Sequence, residues 1–392
     1  MKLAARLGHI DPFYVMECAK AAAELARSPA CAETPMIFLN IGEPDFTAPP
    51  GVLAAAQACM AAGRTHYTQA TGEPALRARI GRWYAERFGL HVPAERIIVT
   101  AGASAALQLA CLALVGHGDE VLMPDPSYPC NRHFVAAADG VPVLLPAGAA
   151  QRFQLDAAGV EAAWTARTAG VLLASPSNPT GTSIAPAEMG RIVHAVRERG
   201  GFSIVDEIYL ALGFDDAYGQ SALAHNVAGA DDVISINSFS KYFCMTGWRL
   251  GWMVVPEALV APIEKLAQNL YICPSSIAQQ AALACFEPEA IAEYERRRQE
   301  FRARRDFLVP ALDALGLAVP VMPDGAFYAW ADVSAHAASS WDFAFDMMRR
   351  AHVAITPGRD FGRDASERFV RLSYANSMPQ LREAVQRLAA AL

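Results

Sequence analysis

The chain has 392 residues, 53% of them hydrophobic, with a formal net charge of −7 and eight cysteines. That length suggests two or three domains at about 150 residues each, with apolar residues enough for a large core. The acidic balance argues against a general nucleic-acid surface, which needs clustered Lys and Arg to neutralise phosphates. The one basic run, "RRRQEFRARR" at 296–305, reads as the solvated face of a long helix. Cys18, Cys31, Cys59, Cys111, Cys130, Cys244, Cys273 and Cys285 form no CxxC pair, and the N-terminus shows no secretion signal. Reduced thiols and a cytoplasmic protein are therefore expected. The His spacing suggests no metal site, and no run of about twenty apolar residues suggests a membrane span.

Helical spacing predicts a first helix over 14–26. The stretch "IFLNIGEPDFTAPP" reads as an irregular loop, followed by helices over 50–62 and 76–88. Short apolar runs then recur at 96–100, 120–124, 142–146, 170–175, 202–207, 232–237 and 250–255. Helical patterns such as 103–115 and 186–199 separate most of them. Strands alternating with helices predict an α/β fold with a largely parallel sheet. Unbroken apolar runs are what such strands need, being buried on both faces. Beyond Tyr271 the pattern changes to a long charged helix over 288–315, segments at 326–333, 353–358 and 368–374, and helices at 341–350 and at the C-terminus. These read as a smaller α+β domain.

Open α/β sheets bind ligands beyond the carboxyl ends of their strands. Five of these runs end there in polar groups: "GASAAL" at 102–107, "DPSYPCN" at 125–131, "SPSNPTG" at 175–181, "DEIY" at 206–209 and "SFSK" at 238–241. Small residues opening a helix suit a phosphate, or an ordinary strand-to-helix turn. Asp206 suits a cationic partner or a helix cap, and Asn178 a ligand or an Asx turn. Tyr128 suits an aromatic plate or the core. Lys241 and Arg249 stand among Phe239, Tyr242, Phe243, Met245 and Trp248, an apolar setting that a reactive amine beside an anionic ligand would explain.

Together "SPSNPTG", "VDEIY" and "SFSKYFCMTGWRLGW" resemble the class I/II aminotransferases, of the fold type I architecture of pyridoxal-phosphate enzymes. The likeness runs from "NIGEPDF" at 40–46 to "RFVRLSYA" at 368–375. It implies a large domain over 50–285 on a mostly parallel seven-stranded sheet, and a small domain from 1–49 and 286–392. It also implies a homodimer with shared active sites, and the cofactor pyridoxal 5'-phosphate. By motif, Lys241 resembles the Schiff-base lysine and Asp206 the partner of the pyridine nitrogen. Tyr209 and Asn178 match residues bonded to the cofactor's phenolic oxygen, and Tyr128 the ring stacked over it. Ala103, Ser104, Ser238 and Arg249 match the phosphate cup. Tyr67 matches the residue that reaches the partner subunit's phosphate. Arg371 matches the clamp on the substrate's α-carboxylate, with Asn178 and the Gly42 backbone beside it. The Asn178–Pro179 bond is expected to be cis.

This resemblance implies transfer of an amino group from an L-amino acid to a 2-oxo acid such as pyruvate or 2-oxoglutarate. Residues near Ile10, Phe13, Tyr14 and Ile41, with Met245 and Tyr271, are expected around the substrate side chain. Being mostly apolar, they favour neutral aliphatic or aromatic donors. Arg132, with Arg64 behind it, is the candidate for gripping a second carboxylate, which would favour aspartate. A fold type I carbon–sulfur lyase shares nearly every cofactor residue and is the alternative enzyme. A dehydrogenase fits poorly, because "VTAGASAAL" lacks the GxGxxG spacing. A cofactor-sensing regulator would need an additional DNA-binding domain.

Overall fold

The computed structural model describes residues 2–226 and 232–392. The chain opens with α1 (Tyr14–Ala26), β1 (Ile37–Phe38), α2 (Pro50–Ala61) and α3 (Pro74–Phe88). Strands and helices then alternate through β2 (Ile97–Thr100), α4 (Ala103–Leu114), β3 (Glu120–Asp125), α5 (Pro129–Ala137) and β4 (Val141–Pro146). They continue with α6 (Ala157–Ala163), β5 (Thr168–Ala174), α7 (Pro186–Arg197), β6 (Phe202–Asp206), β7 (Val233–Ser238) and β8 (Gly251–Val254). Helices α8 (Glu257–Leu270), α9 (Ser276–Leu283) and α10 (Pro288–Ala314) lead to β9 (Tyr328–Asp332) and α11 (Ser340–Arg350). The chain ends with β10 (Val353–Ala354), β11 (Thr356–Pro357), β12 (Phe369–Ser373) and α12 (Met378–Ala391). Helices α2, α3, α5, α7 and α10 each begin on a proline, where the missing N–H has no helical partner to lose and φ is already set.

The main sheet has seven strands in the order β2-β8-β7-β6-β5-β3-β4. β8 runs antiparallel to both neighbours, and the remaining pairs are parallel. This is the expected mostly parallel α/β sheet. Successive residues feed opposite faces, as strand geometry requires. Ile97 and Val99 join one core with Val205, while Ile98 joins the other with Ile204 and Ile236. The unbroken apolar runs are thus buried on both faces. β4, at the sheet edge, is only partly buried.

Two smaller sheets use both ends of the chain. β1 pairs in parallel with β10, and β12 lies antiparallel between β11 and β9. The predicted single segment 353–358 is therefore two strands that serve different sheets. Helices α5, α6, α8 and α9 have no counterpart in the sequence reading. Two of them are only seven and eight residues long, and α8 carries Pro262 inside it.

The basic run lies on α10, and its arginines differ. Arg296 is exposed and pairs with Glu293 at 2.8 Å and Glu300 at 3.1 Å, a solvated helix face as read. Arg304 corrects that reading: it is buried and grips Asp45 through bonds of 2.7 and 3.0 Å. It thereby ties α10 to the loop that carries Gly42. All eight cysteines are free. No helix among the described residues is long and apolar enough to cross a membrane.

Candidate active site

The carboxyl ends of β2, β3, β5, β6 and β7 open on one rim, at a cavity of ≈ 340 Å³. Asp206 is the last residue of β6, paired with Ala174 of β5 and Ile236 of β7. Its Oδ1 accepts from the Ile208 N–H at 3.1 Å, and the residue is 4% exposed. Asn178 follows β5 in a loop held by the Ser177 N–H donating to the Thr182 carbonyl at 2.9 Å. The Asn178–Pro179 bond is cis, as the resemblance implies.

The β7–β8 hairpin explains why a lysine and an arginine stand eight residues apart. Ser238 pairs with Gly251, so Lys241 and Arg249 leave and re-enter the sheet at the same end. The loop between them is pinned by the Phe239 N–H donating to Leu250 O and the Met245 N–H to Phe239 O, at 3.1 and 3.0 Å. Arg249 packs against the start of α4. A Cβ on Gly102 would come within 2.5 Å of Arg249 Nη2, and Gly102 has φ +83°. Glycine is needed there on both counts. α4 has no side-chain cap, so its first N–H groups face the rim beside Ser104, Ser238 and Arg249.

Arg371 comes from β12 and is 3% exposed. Its Nη1 donates to Asn178 Oδ1 at 2.9 Å, and its Nη2 to Asn40 O at 2.8 Å and Thr356 Oγ1 at 3.4 Å. Engaging Asn178 Oδ1 leaves that amide's N–H groups for the cavity. The guanidinium carbon lies 4.5 Å from the Tyr328 ring centre and 5.0 Å from that of Phe361. Tyr328 and Tyr209 share a hydrogen bond of 2.8 Å between their hydroxyls.

Lys241 Nζ donates to Gly42 O at 2.7 Å. Burial, then the positive charge of Arg371, brings its pKa from 10.5 down to about 8. Burial pushes Asp206 up to about 7, with Glu207 adding to it, while the Ile208 N–H and Lys241 oppose the rise. Burial also holds the Tyr209 phenol well above its ordinary range, so it stays a proton donor. A softened amine, a buried carboxyl that gains from a cation, and a fixed guanidinium thus meet in one space.

Gly42, Ala103, Ser104, Tyr128, Asn178 and Asp206 all line this cavity, as do Tyr209, Ser238, Lys241, Arg249 and Arg371. Tyr67 does not: it lies between α2 and α3 with 84% of its surface exposed. Of the residues expected around the substrate side chain, Phe13 is present, joined by Val15 and Met16 of the same segment. Beside Ile41, Gly42 and Glu43 line the cavity too, whereas the other named side chains do not. Met245 is fully buried against Cys285, Tyr14 packs edge-on to Trp341, Tyr271 bonds Gln108, and Ile10 and Ile41 do not line the cavity. Lys241 Nζ lies over the Tyr209 and Phe327 rings at 5.8 and 5.9 Å, whereas its sequence neighbour Phe243 packs into the core against Phe286. Arg132 also turns away, donating to Asp360 O at 2.9 Å, and Arg64 is exposed outside the cavity. Tyr328, Glu43 and Thr246 line the site without having been singled out. Tyr328 sits in "AFYAWADV", which by itself reads as an ordinary buried strand.

Residues 34–388 match the family described as aminotransferase class I and II. The chain is 37% identical to the valine–pyruvate aminotransferase of Mycobacterium tuberculosis, over 99% of this chain and 97% of that one. A solved aminotransferase from Mycobacterium tuberculosis superimposes with a TM-score of 0.94 at 36% identity, covering 100% and 98% of the two chains. The aspartate aminotransferase of Thermus thermophilus, solved with maleate, gives 0.92 at 32% identity, with 100% of both chains covered.

Proposed function

Since the chain belongs to the aminotransferase class I and II family, we propose that Lys241, Asp206 and Arg371 divide between them the work of moving an amino group. The protein is a pyridoxal-phosphate-dependent aminotransferase of fold type I, and its reaction carries an amino group from an amino acid to a 2-oxo acid. The residues present fit that cofactor. The uncapped start of α4, with Ser104, Ser238 and Arg249, suits its phosphate, and only glycine at 102 leaves room for Arg249. Asp206, whose burial favours a cationic partner, suits its ring nitrogen. Tyr128 would stack on the ring, and Asn178 and Tyr209 would donate to its phenolic oxygen. Lys241 Nζ would hold its aldehyde carbon. When bound, pyridoxal phosphate supplies an electron sink for charge formed at the substrate's α-carbon.

This chain's own residues do the rest. Arg371 and the Gly42 backbone fix the donor's carboxylate, which turns the α C–H bond towards Lys241. Lys241 takes that proton as a base, and its lowered pKa makes the free amine accessible near neutrality. Asp206 keeps the ring nitrogen protonated. Tyr67, exposed and remote from its own cavity, would reach the partner's phosphate in a homodimer with shared sites, and we place the protein in the cytoplasm.

The donor preference rests on the cavity, since relatives named for valine and for aspartate stand at 37% and 32% identity. Phe13, Val15 and Met16 offer apolar surface, and the cavity's lining cations are Lys241, Arg249 and Arg371. All three are engaged in the roles above, and Arg132 faces elsewhere. A neutral aliphatic or aromatic donor is the reading this supports. The observation that carries the whole assignment is Lys241 held 2.7 Å from Gly42 O within the cavity that Asp206 and Arg371 also line. A panel of amino donors against pyruvate and 2-oxoglutarate tests it. Neutral donors should give the higher kcat/KM, and aspartate as the best donor would overturn the preference. Release of a 2-oxo acid without any acceptor would point to the carbon–sulfur lyase instead.

A further inference from the structure

Tyr328 carries no role in the division of labour above, yet it touches three parts of the site. Its hydroxyl lies 2.8 Å from that of Tyr209. Its ring centre lies 4.5 Å from the Arg371 guanidinium carbon. A Cβ on Gly42 would come within 2.8 Å of its oxygen, so a side chain there would displace the hydroxyl. Tyr328 and Tyr209 are only 1% and 2% exposed, and β-sheet pairing fixes the backbone beneath Tyr328 through its partner Ser373.

Each of the two hydroxyls carries one proton, so in their shared bond one donates and the other accepts. If Tyr209 donates into the cavity, its proton is spent there, and Tyr328 must be the donor within the pair. We propose that Tyr328 is a positioning residue for transamination: its hydroxyl donates to Tyr209 and commits the Tyr209 proton to the cofactor's phenolic oxygen, while its ring braces Arg371. This rests on the reading of Lys241 and Tyr209 given above. A donor behind a donor polarises the chain of hydrogen bonds and strengthens the outer one. Without it the phenolic oxygen becomes more basic. The proton held between that oxygen and the Lys241 nitrogen is then lost at higher pH.

The test is a pH titration of the cofactor's visible absorption in the holoenzyme, alongside steady-state kinetics. Tyr328→Phe keeps the ring and removes the donor. It should raise the spectral midpoint by roughly half a unit to one unit and lower kcat about threefold to tenfold, one neutral hydrogen bond's worth. KM for the amino donor should stay unchanged. Tyr328→Leu removes the brace as well and should also raise KM. Because Tyr328 acts through Tyr209, the Tyr209→Phe/Tyr328→Phe double variant should shift the midpoint no further than Tyr209→Phe alone. If Tyr328→Phe fails to retain cofactor, the Tyr328→Leu holoenzyme, which also lacks the donor, reads the same hydrogen bond and should move the midpoint in the same direction. An unmoved midpoint, or additive shifts in the double variant, would overturn the proposal. A wild-type protein with no band reducible by borohydride would instead defeat the assignment of Lys241 itself, a failure distinct from the first.

Discussion

The floor of the cavity, with Asp206, Ser238, Lys241 and Arg249, comes from neighbouring strands β6, β7 and β8 of one sheet. The wall, with Gly42, Tyr328 and Arg371, comes from the two ends of the chain. Arg371 reaches Asn40 O across 331 sequence positions. Backbone pairing fixes the floor: once β6 and β7 are in register, Asp206 and Ser238 have little freedom left. Side-chain bonds hold the wall, namely Arg371 to Asn178, Asn40 and Thr356, and Arg304 to Asp45. The floor is therefore set by one sheet's register, while the wall forms only when both chain ends are in place; in the function proposed above, the first carries the chemistry and the second positions the substrate.

Substitutions on the two sides should differ in kind. The largest effect belongs to the floor. Lys241→Ala should reduce transamination on the order of 10⁴-fold, the upper range for a positioned base. Borohydride followed by mass spectrometry should no longer find cofactor on the chain, and near-normal turnover would remove Lys241 from the chemistry. On the wall, Arg371→Lys loses the planar fork and about one charge-assisted hydrogen bond. We expect kcat/KM for the amino donor to fall by about tenfold to a hundredfold, with cofactor affinity unchanged. Equal loss of both would mean that wall and floor are not separable.

The pH dependence sharpens the same contrast. Lys241 has its pKa depressed from 10.5 to about 8, so the free amine dominates above about 8 rather than above 10.5. The rate at which cofactor-free protein captures pyridoxal phosphate should climb with pH and level off above that value. A rate still climbing through pH 10 would show that burial and Arg371 do not depress the amine. The smallest effect concerns a residue outside both regions. Arg132→Ala should leave the ratio of kcat/KM for neutral and acidic donors within about twofold, because Arg132 bonds Asp360 rather than facing the cavity.

The floor was legible in the sequence because its residues stand at the ends of apolar runs, Asp206, Ser238 and Lys241 at or after one and Arg249 just before the next. A strand's end is a local feature, and in a parallel sheet such ends share one rim. "SFSK" and "DEIY" therefore announced their places without any knowledge of strand order. The substrate-facing side was read less well. Met245 and Tyr271 lie close to the lysine motif in sequence, yet a tight turn and a helix end carry them away from the cavity. Arg132 follows "YPCN" closely, but α5 turns it towards Asp360. Tyr328 gave no signal, since a buried tyrosine in a short strand looks the same whether it fills core or meets a ligand.

By itself, the sequence determined the α/β class, the rim of polar strand ends and, through motif likeness, the lysine, aspartate and arginine to which we assign the chemistry. Those are properties of short segments, written in apolar periodicity and in the residues that interrupt it. Tertiary structure alone decided which distant groups meet in and around the cavity: the Tyr328 and Tyr209 hydroxyls, Arg371 and the Asn40 carbonyl, and, behind the wall, Arg304 and Asp45. Such contacts depend on how distant backbones pack and on which rotamers that packing leaves open, and no local pattern encodes either.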